Sequence, residues 1–239
     1  MQDEKVMDKA LPGITEYADV ARSEGEAQDE ARGLWKVLFN LRRGIERIAD
    51  FTSSIGWILA WVVFVIGLFN VVTRYVSSWI GEDLIYGPAF DYWWMAFGFM
   101  FLFNLGYGLR DGVNPRIDFW WAEFSEKRKA WLDLCLHVFL MIPYMFVALT
   151  ALWPYMLTAL GRRRTGEWRE IDGWKFWEIW EEGPDAGNLT RGPIKSMLFI
   201  GMTLLALQFV AEIIKQIFIL RGRRDLAGLK AQEEFLRIE

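Results

Sequence analysis

Residues Leu109–Leu134, LRDGVNPRIDFWWAEFSEKRKAWLDL, decide how this chain is built. The stretch lies between two long apolar runs and is itself too polar to cross a bilayer. It nevertheless carries Ile117, Phe119, Trp120, Trp121, Phe124, Trp131 and Leu132, with Arg110, Arg116, Lys127, Arg128 and Lys129 among them. A basic, Trp-rich segment with an apolar side suits a short helix lying in the membrane interface. Residues 110–133 therefore read as an elbow joining two transmembrane hairpins, with Trp120, Trp121, Lys127, Arg128 and Lys129 as candidate lipid contacts.

On its N-terminal side the elbow is fed by the apolar run 89–109. This run is crowded with aromatics, with Gly98 and Gly106 as gaps and Asn104 as one polar residue well inside. An Asn at that depth is expected to bond a neighbouring helix. Pro88 and Asp91 fit the first turn of a helix, by fixed φ and by charge against the helix dipole. The run before it, 51–73, spans about 34 Å as a helix, enough for a hydrocarbon core of ~30 Å. Ser53, Gly56 and Ala60 form a small-residue stripe along it, and Arg74-Tyr75 close it. Residues 34–50 place Leu34, Val37, Leu38, Leu41, Ile45 and Ile48 at helical spacing, with Arg42, Arg43 and Arg47 between them. They read as a separate interfacial helix whose arginines are further candidate lipid contacts.

On the C-terminal side Ser125 is a plausible N-cap for a third span, about 134–160, which Pro143 and Pro154 should kink. A long connection, 161–195, follows. Trp174, Trp177 and Trp180 recur in it every three residues and read as a short surface helix half-sunk in the interface, and as candidate contacts on the side opposite the elbow. The fourth span, 196–220, carries Gln208, Glu212 and Lys215 on one face. With Arg74 and Asn104, these three are the candidate contacts to a partner subunit. The expected fold is all-α: an integral membrane protein with four transmembrane helices plus interfacial amphipathic helices. Residues 1–33 form an acidic tail expected to be disordered, and 221–239 a charged tail.

Of the 239 residues, 14 are Trp, more than a soluble domain of this length commonly holds. Residues 1–33 hold nine acids and four bases, so the remainder is close to neutral and offers no basic face for nucleic acid. The single cysteine, Cys135, allows neither an intramolecular disulfide nor a cysteine zinc site. No apolar h-region opens the chain, so the first apolar run is expected to serve as a signal anchor. Lys and Arg number fifteen in 32–50, 110–133 and 221–239 together, against eight in the two opposite connections. The positive-inside rule then places both termini in the cytoplasm.

Phosphate-loop, nucleophile-elbow and zinc-protease signatures are missing from the sequence. The single histidine, His137, has no second haem ligand able to reach the far side of a ring, and is expected to make an ordinary hydrogen bond. The polar face at Gln208–Glu212–Lys215 lies near the end of its span, where a charged pair snorkels at modest cost. No catalytic, cofactor-binding or metal-ligating residue is expected.

The ordered set of features resembles a known family. A basic N-flank precedes a span ending in Arg74-Tyr75. The second span runs into Leu109, Arg110, Asp111, Gly112, Arg116, Ile117 and Asp118. Phe124, Ser125, Arg128 and Lys129 lead into the third span, and Pro193-Ile194-Lys195 precede the fourth with its Gly201, Leu204, Leu205, Leu207 and Gln208. This is similar to the small membrane subunit, DctQ-like, of tripartite ATP-independent periplasmic transporters, over about residues 40–220. It departs from that pattern at Val113-Asn114, where the family often has histidine after the glycine. The resemblance implies a bacterial inner-membrane protein that pairs with a large polytopic permease and a periplasmic substrate-binding protein. Such a system imports organic acids, commonly carboxylates, on a sodium gradient. The small subunit would be a non-catalytic scaffold without a cofactor. The alternative from another class is the membrane anchor of a quinone-linked respiratory enzyme.

Overall fold

The computed structural model describes residues 32–84, 86, 88–112, 124–171, 173–183, 189–223 and 225–227. Most of the acidic tail, Trp120 and Trp121 of the elbow, Arg116-Ile117-Asp118 and most of the C-terminal tail lie outside them. Among the described residues the chain is all-α, with helices α1 (Leu34–Ile80), α2 (Pro88–Arg110), α3 (Glu126–Leu136), α4 (Ile142–Ala159) and α5 (Gly192–Leu220). Three stretches among the described residues are long and apolar enough to cross a membrane: Leu34–Ile80, Glu126–Ala159 and Gly192–Leu220.

Helix α1 differs from the expected interfacial helix and separate span. It is one helix of 47 residues, about 70 Å long. The hydroxyls at the expected junction do not start a new helix. Thr52 Oγ1 donates back to the Ala49 carbonyl at 3.0 Å and Ser54 Oγ to that of Asp50 at 3.0 Å. The helix also continues past Arg74-Tyr75 to Ile80.

Both faces of its first part are mixed. Phe39, Arg42, Ile45, Glu46 and Ala49 are buried, whereas Leu34, Val37, Leu41 and Ile48 are exposed. Lys36, Asn40 and Arg47 are exposed as well.

Helix α2 starts at Pro88 as expected, and buried Asp91 in its first turn accepts a hydrogen bond from Trp94 Nε1 at 3.2 Å. Ser125 does stand at the N-cap of α3, but its hydroxyl makes no capping bond. A π-turn, His137–Met141, joins α3 to α4. It sits immediately before Pro143, which has no N–H to give to the preceding turn and whose ring crowds it; the wider turn takes up that loss. Pro154 is accommodated inside α4.

Glycine ends α4 and α5 in the same way. Gly161 (φ 102°) and Gly222 (φ 74°) adopt the left-handed conformation. Arg162 N–H then reaches the Leu157 carbonyl at 2.9 Å, and Arg223 N–H the Phe218 carbonyl at 2.9 Å. Both close the helix with a Schellman arrangement.

The chain divides into two compact units. One comprises Met1–Ile45, Pro115–Leu140 and Phe209–Glu239. Its core is Phe39, Ile214, Phe218, Leu226 and Ala227, with Trp35, Leu38, Val210 and Ile219 packed against it. The other comprises Glu46–Asn114 and Met141–Gln208. Within it α1 and α2 run antiparallel, bringing together Asp50 with Arg110, Ser53 with Asn104 and Gly67 with Trp93. Helices α2 and α5 run in the same direction, with Gly98 against Ile194, Leu102 against Gly201 and Gly106 against Gln208. Helix α4 opposes α5, with Trp153 on Phe199 and Tyr155 under Lys195.

Candidate functional site

The small-residue stripe of α1 and the polar residue of α2 meet. Asn104 Nδ2 donates to the Met100 carbonyl of its own helix at 2.7 Å, and its Oδ1 accepts from Ser53 Oγ at 3.1 Å. Both polar ends of the amide are thereby engaged, as an apolar surrounding demands. Gly56 makes room for it: a Cβ there would lie 2.0 Å from Asn104 Nδ2. Ser53, Gly56, Trp57, Ala60, Met100, Phe101 and Asn104 line a notch of about 270 Å³.

The polar face of α5 corrects the sequence reading. Gln208 is fully buried, at 0% exposure, and Glu212 is buried too. These side chains point into their own chain, so they do not form an outward contact with a partner. Gln208 faces Gly106 of α2, where an added Cβ would stand 3.8 Å from the Gln208 Cβ, at ordinary contact. Lys215 is half-buried, with its Nζ 4.0 Å from Glu212 Oε2. Gln216, which the sequence reading missed, is also buried on this helix. Its spacing of four from Glu212 was the available signal.

Arg42 needs a similar correction. At 4% exposure it is not a lipid contact; its guanidinium donates to the Leu226 carbonyl and ties the segment after α5 to α1. Arg47, Lys127 and Arg128 are exposed, and Arg43 and Lys129 half-buried. Trp120 and Trp121 lie outside the described residues. Arg74 is exposed near the far end of α1.

Arg110 closes the α1–α2 pair. It reaches Asp50 at 2.6 Å and Asp111 at 3.0 Å, and its guanidinium lies over Tyr107. Burial works against its charge, but the hydrogen bonds to Asp111 and Asp50 outweigh it and raise the pKa above the usual value. A base whose pKa rises on folding contributes stability below its unfolded pKa, so Arg110 stays charged and contributes at every accessible pH.

In the connection 161–195 the three tryptophans behave differently. Trp174 and Trp177 are exposed and stack edge to face, whereas Trp180 is half-buried against Gly192. The expected surface helix is only a 3₁₀ turn, Phe176–Ile179. Lys195 holds this connection to the start of α5, with Glu181 Oε2 at 2.5 Å and the Tyr155 ring at 4.2 Å. Sequence reasoning missed that cluster, since its members lie far apart along the chain. His137 packs on Phe209 with ring centroids 5.4 Å apart, and its buried Nδ1 has no hydrogen-bond partner, unlike the ordinary bond expected of it.

Comparison with known proteins gives one family match. Residues 63–218, more than half of the chain, match the family described as tripartite ATP-independent periplasmic transporters, DctQ component. No curated protein and no solved structure matches the chain. The match begins within α1 and ends within α5, so it takes in α2, the π-turn and the Trp-rich connection. The chain belongs to the DctQ family, the small membrane subunits of tripartite ATP-independent periplasmic transporters.

Proposed function

We propose that this chain is the non-catalytic scaffold subunit of a sodium-driven importer of organic acids, commonly carboxylates. It pairs with a large polytopic permease and works with a periplasmic substrate-binding protein. The observation that carries this reading is the division of its surface. Several polar side chains within the apolar parts of the helices are engaged or buried within the chain, as at Ser53–Asn104, Gln208 and Glu212. Large apolar side chains, among them Trp57, Trp61, Phe64 and Phe101, face outward. Such a surface suits packing against another membrane protein and lipid, and has little with which to bind a carboxylate. The notch at Gly56 and Ala60 is the proposed seat for an apolar side chain of the large subunit, with Asn104 in the same notch and Arg74 a separate proposed contact about 21 Å further along α1. Trp174 and Trp177 are proposed to meet the binding protein.

The same reading makes α2 a fourth span, placing both termini in the cytoplasm of a bacterial inner membrane. Its 23 residues reach about 34 Å. Its antiparallel contacts run along α1 from Asp50 to Gly67, inside the apolar part of that helix.

The test is uptake by proteoliposomes holding both membrane subunits, with the binding protein added. Ala60→Trp, which fills the proposed seat, is expected to lower the yield of assembled complex while leaving the sodium dependence of uptake per complex unchanged. A fully assembled complex with altered sodium stoichiometry would contradict the scaffold role.

A further inference from the structure

Helix α3 carries an unassigned groove at its outer face. It measures about 510 Å³ and is lined by Phe124, Lys127, Arg128, Trp131, Leu132 and Cys135. That volume falls within the range of small-molecule pockets, roughly 300–1,000 Å³. The lining residues recur at helical spacing, so they form one stripe down the face of a single helix. From Lys127 to Cys135 the stripe descends about 12 Å.

The stripe changes character along that descent. At the top stand two cations, neither of which forms an ion pair with the described residues. Long cationic side chains lay their aliphatic stems on apolar surface and keep the charged head at its rim. Trp131 follows, at 59% exposure, a side chain suited to the headgroup boundary. Below it come Leu132 and Cys135, and the exposed apolar surface continues through Leu136 and Phe139. The acids on α3, Glu126 and Asp133, do not line the groove, and each is engaged elsewhere.

We propose that this groove is a discrete binding site for one anionic glycerophospholipid. The phosphate sits between Lys127 and Arg128, and an acyl chain lies along Trp131, Leu132 and Cys135. Charge complementarity selects the occupant: an apolar trough under two cations without an ion pair among the described residues matches an anionic headgroup on an apolar tail. A helix of a partner protein would leave those cations facing apolar side chains. A zwitterionic lipid brings its own cation to the rim and gains less. The site goes beyond general contact with the bilayer because it requires one helix face and a fixed order of residues. It does not depend on the large subunit, so it stands or fails separately from the scaffold reading.

Cys135 supplies the probe, since it is the single cysteine of the chain, exposed, and inside the groove. Alkylation of purified full-length chain in mild detergent by N-ethylmaleimide is followed while dioctanoyl phosphatidylglycerol or dioctanoyl phosphatidylcholine is added. Phosphatidylglycerol is expected to protect Cys135 saturably, at about tenfold lower concentration than phosphatidylcholine. Lys127→Gln/Arg128→Gln should abolish that preference. Arg32→Gln/Lys36→Gln, which removes the same charge from exposed positions outside the groove, should retain it. Equal protection by the two lipids, or selective protection that survives in the groove variant, overturns the proposal. So does protection that appears only when the large subunit is co-expressed, because the groove would then be a protein contact.

Discussion

Asn104 depends on an absence of atoms at Gly56. Adding a Cβ there forces the amide away, because the two would stand 2.0 Å apart. The bonds to Ser53 and Met100 are then lost together. Gly56→Ala should destabilise the chain by about 1–2 kcal/mol, read as a lower thermal midpoint in detergent. In an Asn104→Ala background the same change should cost much less, since the obstructed group is gone. Additive losses would mean that Gly56 and Asn104 do not share a contact. The sequence shows both halves, a lone Asn in an apolar run that needs a neighbouring helix and a small-residue stripe where a helix can approach, but not that they meet each other rather than a partner subunit. Arg42 was not legible. Its spacing among Leu34, Val37, Leu41 and Ile48 is that of a solvated polar face. Its actual partner is a carbonyl at Leu226, far along the chain.

At the scale of elements, the sequence pattern located the apolar runs but not where they stop. Residues 34–50 and 51–73 read as separate helices, yet the Thr52 and Ser54 hydroxyls bond back into the preceding turn and α1 continues through. The π-turn at His137–Met141 was read only as a kink, because a proline announces the loss of a donor without saying how the turn before it relaxes. Gly98 and Gly106 were read as gaps in α2, and they are the places where α5 approaches it. The antiparallel register of α1 and α2 can be tested by cross-linking in a Cys135→Ser background. Ser53→Cys/Asn104→Cys should join in high yield with a short bifunctional thiol reagent. Ser53→Cys/Trp93→Cys should not, since Trp93 lies about three turns away along α2 toward its start. Equal yields, or the reverse order, would overturn the register.

At the scale of the molecule, the order of α1, α2, α4 and α5 follows from the order of apolar runs and polar connections. The inside of the molecule was harder to read. In a membrane protein apolar residues point both ways, so the pattern does not say which polar residues turn inward. Gln208, Glu212 and Arg42 are the ones that do. With these held inside and Trp57, Trp61, Phe64 and Phe101 outside, the chain has the character of a part that is packed against. The most direct test is to isolate the tagged chain from native membranes in mild detergent and identify what accompanies it by mass spectrometry and absorption. The scaffold account predicts one many-span permease in fixed stoichiometry, without flavin, iron–sulfur or haem absorption. A stoichiometric flavin- or iron–sulfur-bearing partner would contradict it and make the chain a respiratory anchor instead.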